Sequence, residues 1–146
     1  MSLTNVINIS GSGMTAQSVR LNTTASNLAN AETVSSSIDT TYRARKPVFQ
    51  VLQDSLINRD FSPVDLETDV GSGVKVAAIV EKDAPLDIRY EPTHPMADEN
   101  GYVYYPNVNV VEEMADMMSA SRSFAVNVEV FNTAKTMLQK TLTMGK

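Results

Sequence analysis

The strongest constraint on this chain is a pair of sevenfold repeats, one near each end. Val110, Met117, Phe124, Phe131 and Leu138 recur at every seventh position. Met114, Ser121, Val128, Lys135 and Leu142 form a companion column four residues on, interrupted only by Ser121 and Lys135. Apolar residues in both columns are the pattern of a helix that packs along a coiled-coil-like seam. Near the start, Ile7, Met14, Leu21 and Leu28 repeat in the same way, with small Gly11, Ser18 and Ala25 in the companion column. Small seam residues allow another helix axis to come close.

The first helix is intrinsically weak. Gly11 and Gly13 each cost about 1 kcal/mol relative to Ala in a helix interior. Arg20 is its only charged side chain between Met1 and Asn30. A solvated helix carries a charged face, so most of this surface is expected to meet protein. The second helix is better marked. Asn109 fits an N-cap, with Glu112 three residues on in capping-box spacing. Glu112, Glu113 and Asp116 suit the positive end of the helix dipole, and Lys135, Lys140 and Lys146 lie toward the other end.

Between the helices the signals change. All six prolines lie between Pro47 and Pro106. "AETVSSSIDTTYRARKPV" reads as loop, and "GSGVKVAAIVEKD" reads as a strand behind a Gly-Ser-Gly turn. "PLDIRYEP" is a short alternating piece, and Asn100-Gly101 before "YVYYP" predicts a hairpin. The expected fold is α+β. Long N- and C-terminal helices pair as a coiled-coil-like layer around a small β-rich middle region of strands, hairpin and loops. The expected boundaries are 1–34, 35–107 and 108–146. Two lone helices sharing one seam would gain by packing on further copies, so the ends are expected to fray in the monomer and to fold on assembly.

Composition narrows the function classes. The net charge is −5, which disfavours a phosphate backbone as partner. There is no Cys, so disulfides and thiolate metal sites are excluded. The N-terminus lacks the basic and apolar regions of a cleaved secretory signal. No apolar run is long enough to span a membrane.

Chemistry-bearing residues are few. His94 is the only histidine, and a metal site there would need Glu91, Asp98 or Glu99 beside it. A proline-flanked loop with exposed carboxylates explains the segment more simply. A Ser-His-Asp arrangement would have to use His94, and no nucleophile elbow accompanies it. Gly11-Ser12-Gly13 and Gly71-Ser72-Gly73 lack the residues that complete a phosphate loop. Arg43, Arg45 and Lys46 are expected to meet carboxylates of a neighbouring subunit. Met114, Met117 and Met118 fit either a core or an adaptable binding face. No catalytic residue, cofactor or metal is expected.

The segment "SGSGMTAQSVRLNTTASNLANAET" resembles the N-terminal signature of the bacterial flagellar rod and hook axial protein family. Its motif core is Ser26, Asn27, Leu28, Ala29 and Asn30. "YRARKPVFQ", "YEPTHPMADENGYVYYPNVNVVEEM" and "MSASRSFAVNVEVFNTAKTMLQKTL" extend the resemblance over nearly the whole chain and narrow it to proximal-rod members. It is weakest in Val51–Ser72, where a variable loop is expected. The resemblance implies a structural subunit, exported through the flagellar type III apparatus without a cleaved signal. It implies polymerisation into the periplasmic rod of the basal body, which transmits torque from motor to hook. Implied partners are further copies, other rod proteins, the ring-to-rod adaptor protein and the export apparatus, with neither nucleic acid nor membrane insertion. The expected subunit-interface residues are Ile7, Met14, Leu21, Leu28, Val110, Met114, Met117, Phe124, Val128, Phe131, Leu138 and Leu142. The runner-up is a self-contained coiled-coil adaptor or secreted effector whose helices pair only within one molecule. An enzyme resting on His94 is a distant third.

Overall fold

The computed structural model describes residues 3–52 and 72–144. Helix α1 (Leu3–Ala29) and helix α2 (Val110–Met144) are joined by four strands. These are β1 (Arg45–Leu52), β2 (Gly73–Glu81), β3 (Asp87–Tyr90) and β4 (Tyr102–Tyr105). The architecture is α+β, with the two helices packed together and a small antiparallel strand region between them. Most of the expected variable loop, and Lys146, lie outside the described residues.

The helices run antiparallel. Gly13 lies against the Asn127 side chain, and Arg20 pairs with Asp116 at 2.7 Å, so positions ascend on one helix as they descend on the other. Helix α1 has 27 residues and α2 has 35, or about 40 and 52 Å at 1.5 Å per residue. The second helix therefore outlasts the first. Its start is fixed by Asn109, whose Oδ1 accepts from the Val111 amide at 3.1 Å and the Glu112 amide at 3.4 Å. The Glu112 carboxylate does not return to close a capping box; it accepts a hydrogen bond from Lys46 Nζ instead.

Strands β1 and β2 form an antiparallel ribbon with a register shift at Val48/Phe49 that leaves Ala77 without a cross-strand partner. Such a bulge increases local twist. The ribbon lies on α1, where the Val74 amide donates to Ser12 Oγ at 3.1 Å. Gly73 is required there twice over. Its φ is +135°, and a β-carbon would collide with the Ser12 side chain.

One local expectation is corrected and another is refined. The loop expected before Val48 gives way to β1 at Arg45, because β2 supplies partners as far as Arg45↔Glu81. Pro47 is tolerated because a two-stranded ribbon has open edges. The hairpin expected at Asn100-Gly101 forms, since β3 and β4 pair antiparallel, but residues 91–101 connect them and not a two-residue turn. Pro92 and Pro95 cannot donate to a ladder, and the chain first turns through His94 N–H to Glu91 O and Ala97 N–H to His94 O, each 3.0 Å. Gly101 then closes a wider loop at φ +80°, donating to Asp98 O at 2.8 Å.

The interior is unusual in kind. Among the described residues, Val103 is the only large apolar side chain that is fully buried. The rest of the apolar core is Ala16, Ala44, Ala120 and Ala134, and Ser10, Thr23, Thr24, Asn27, Thr41 and Glu113 are buried with them.

Candidate assembly surface and its anchoring joint

The inner face of α2 is a column of Glu113, Ala120, Asn127 and Ala134, at sevenfold spacing. Asn127 is half-buried and the others are buried. Facing it on α1 are small and polar groups, with Gly13 set close against it: a β-carbon there would stand 3.0 Å from Asn127 Nδ2. Threonine and serine hydroxyls on α1 turn back to their own helix carbonyls, as Thr23 does to Val19 and Thr24 to Arg20. This satisfies them without a partner across the interface. Gln17 Oε1 is buried with no hydrogen-bond partner among the described residues.

The large residues are displaced outward. Ile7, Met14, Leu21 and Leu28 are all half-buried, as are Met117, Phe124, Val128 and Phe131. Val110, Met114, Leu138 and Leu142 are exposed. The line of deepest contact is therefore not the expected column of Val110, Met117, Phe124, Phe131 and Leu138. It lies through the small residues beside that column, because axes brought close at Gly13, Ala16 and Ala120 leave room only for small groups. Further apolar side chains stand in solvent on α2, with Val111 at 75% and Met118 at 69% exposure. Fully burying one Met or Leu is worth about 1.5–3 kcal/mol, so this surface holds a large unused driving force.

The strand region is fastened to the helices by a joint of hydrogen bonds and ion pairs. Asn27, at 0% exposure, grips the backbone of Arg45. Its Nδ2 donates to Arg45 O at 2.7 Å, and its Oδ1 accepts from Arg45 N–H and from Tyr42 Oη, each at 2.9 Å. Asn107 grips the preceding residue, accepting from Ala44 N–H at 2.8 Å and donating to Lys82 O and Ala84 O at 2.9 Å. Two asparagines, one near the end of α1 and one just before α2, thus hold Ala44 and Arg45, where β1 begins.

An ionic strip runs beside them. Arg20 pairs with Asp116 at 2.7 Å, Lys46 with Glu112 at 2.7 Å and Asp116 at 3.6 Å, and Lys82 with Glu112 at 3.7 Å. The hydrogen bond from Lys46, and then its charge, hold the Glu112 carboxyl below the usual carboxylate range. The same hydrogen bond raises Lys46 above its ordinary value, against a smaller opposing cost of burial.

The expectation that Arg43, Arg45 and Lys46 meet another subunit is corrected by this geometry. Their partners are Asp83, Glu81 and Glu112 of the same chain. Folding β1 onto β2 and onto the acidic first turn of α2 brings those carboxylates within reach. The His94 ring accepts a hydrogen bond from the Met96 amide at 3.1 Å through Nδ1. It lines a groove of about 740 Å³ shared with Glu32, Val34, Leu86, Tyr105 and Val110, among others. Among the described residues no three His, Asp or Glu side chains group as metal ligands, and no helix is long and apolar enough to cross a membrane.

The comparisons with known proteins match this arrangement at both ends of the chain. Residues 7–34 match the model described as flagella basal body rod protein. Residues 99–144 match the flagellar basal body rod FlgEFG protein C-terminal model. Over its full length and theirs, the chain is 49% identical to the flagellar basal-body rod proteins FlgC of Salmonella typhimurium and of Escherichia coli O157:H7. It is 37% identical to that of Borreliella burgdorferi over 97% of each chain. The chain belongs to the FlgC family of flagellar basal-body rod proteins.

Within a FlgC-family chain, the motif Ser26–Asn30 now has a physical reading. Asn27 is the grip on β1, Asn30 Nδ2 donates to Ser26 O at 2.8 Å at the helix end, and Ser26 Oγ lies 3.3 Å from Tyr42 Oη. Leu28 is half-buried and Ala29 exposed. Sequence reasoning marked the motif but missed Asn107, Arg20, Lys46, Glu112 and Asp116 as a joint. The lone charge of Arg20 on an otherwise uncharged helix was the one signal that could have pointed to it.

Proposed function

We propose that this chain is a structural subunit of the bacterial flagellar basal-body rod. It polymerises through its terminal helices into the hollow shaft that carries torque from motor to hook. Its role is mechanical, not catalytic. It leaves the cytoplasm through the flagellar type III export apparatus and is built into the rod within the periplasmic space. Its neighbours there are further copies, other rod proteins and the ring-to-rod adaptor. The twelve residues from Ile7 to Leu142 named in the sequence analysis contribute to those contacts together with Val111 and Met118.

One observation carries this reading. The fully buried positions of the helix pair are alanines, hydroxyls, an asparagine and a glutamate, while its large apolar side chains are only half-buried or, as in Val111, Met114 and Met118, exposed. A self-contained coiled coil would do the reverse. Contacts that join different faces of successive copies do not close into a ring and generate a helical polymer. Met118→Asp tests the proposal, because Met118 is exposed in the single chain and its loss should leave the monomer folded. Cells carrying it are expected to lack rods by electron microscopy of basal bodies and to be non-motile. Normal rods and swimming would argue for the self-contained adaptor instead.

A further inference from the structure

The pairing of α1 with α2 stops before α2 does. Ala134 is the last buried residue of α2, and every residue from Lys135 to Met144 is exposed. This overhang is about 15 Å long. It carries Met137, Leu138, Leu142 and Met144 as exposed apolar groups, with Lys135 and Lys140 as its only charges.

The opposite end of the molecule has the complementary character. The groove beside the start of α2 has apolar walls at Val34, Leu86 and Val110 and includes Glu32. Glu91 and Glu99 lie in the adjoining loop, and none of Glu32, Glu91 and Glu99 is ion-paired within the described residues. The cations of this end are already engaged: Arg89 by Asp87 at 2.8 Å, and Lys46 and Lys82 by Glu112. Unpaired positive charge therefore sits at one tip and unpaired negative charge at the other.

We infer that the Lys135–Met144 overhang docks head-to-tail into the groove of the next subunit along the assembly, a second copy when the purified chain associates alone. This rests on the rod reading and adds to it a specific longitudinal contact. Leu138 and Leu142 enter against the apolar wall, and Lys140 faces the unpaired carboxylates. The antiparallel pairing keeps the two tips of one molecule apart, so the contact is made only between molecules.

The chain has no Cys, so single cysteines can be placed cleanly. Leu142→Cys and Val34→Cys chains, mixed at a concentration where sedimentation shows assembly, are oxidised with diamide. The mixed disulfide is expected to form about tenfold or more faster than either variant's self-disulfide. Lys140→Glu in the first variant should slow it several-fold, and Glu32→Lys in the second should recover it. Equal rates in assembled material would overturn this contact and leave the rod reading standing. Equal rates with no assembly at any concentration would remove both.

Discussion

The two tips of this molecule follow opposite rules. At the joint, Asn27, Asn107 and the strip from Arg20 to Lys82 pair their polar groups within the chain, and the carboxylates left over, Glu32, Glu91 and Glu99, lie outside that joint. At the far tip, every residue of α2 from Lys135 to Met144 is exposed among the described residues. The first end sets how the strand region sits on the helices. The second is left for another molecule. A chain that must be both a defined part and an unfinished one separates the two requirements in space.

The sharpest way to break this contrast is at the joint. Asn27→Ala removes three hydrogen bonds and leaves the Arg45 amide and carbonyl without their partner in a part-buried setting. It is expected to cost about 2–4 kcal/mol in urea denaturation. A loss under about 1 kcal/mol would show that the grip is incidental. Gly13→Val should cost about 1–3 kcal/mol by forcing Asn127 away, whereas Gly11→Ala, whose β-carbon would meet open space, should be neutral or stabilising.

The ionic strip is half-exposed, so its contribution is screened. Asp116→Asn is expected to cost about 1 kcal/mol or less and to lose most of that effect in 1 M salt. Its pH dependence follows from the directions of the shifts. The Glu112 carboxyl titrates below its ordinary value of 4.5, so its stabilisation is complete above that pH and fades as pH falls through the lowered value. Lys46 titrates above 10.5, so its share is complete below that pH and fades as pH rises beyond it. Thermal melts should be flat between these limits, and Glu112→Gln should remove the acid limb without touching the far tip.

The smallest effect sharpens the contrast from the other side. Leu142→Ser should leave monomer stability within about 0.5 kcal/mol, as for other exposed positions. Gln17→Met should raise stability slightly by removing an unpaired buried acceptor. A clear destabilisation by Leu142→Ser would mean that the overhang is already covered.

Much of the fold was legible because it is local. The sevenfold columns marked both helices, Asn109 marked the start of α2, and the β-branched run after Gly73 marked β2. The depth of the seam was not legible. Apolar periodicity reports where the large residues lie, and Phe124 is half-buried and Leu138 exposed while the deepest positions are the small residues beside them. The joint was illegible for a different reason. Arg20 and Asp116 are 96 positions apart, and Asn27 reaches Arg45 across a loop. Residue type says that an asparagine can bridge a backbone amide, and only the packed fold says which one.

Methionine oxidation reads the outward-facing surface directly. Met118 and Met137 are exposed on α2, and Met117 beside them is half-buried. Hydroxyl-radical footprinting of the dilute chain and of isolated basal bodies compares the same side chains in both states. Fast oxidation of Met118 and Met137 in the free chain, with about tenfold or greater protection in the basal body, is the expected result. Equal oxidation in the two states would mean that no other molecule covers these helices.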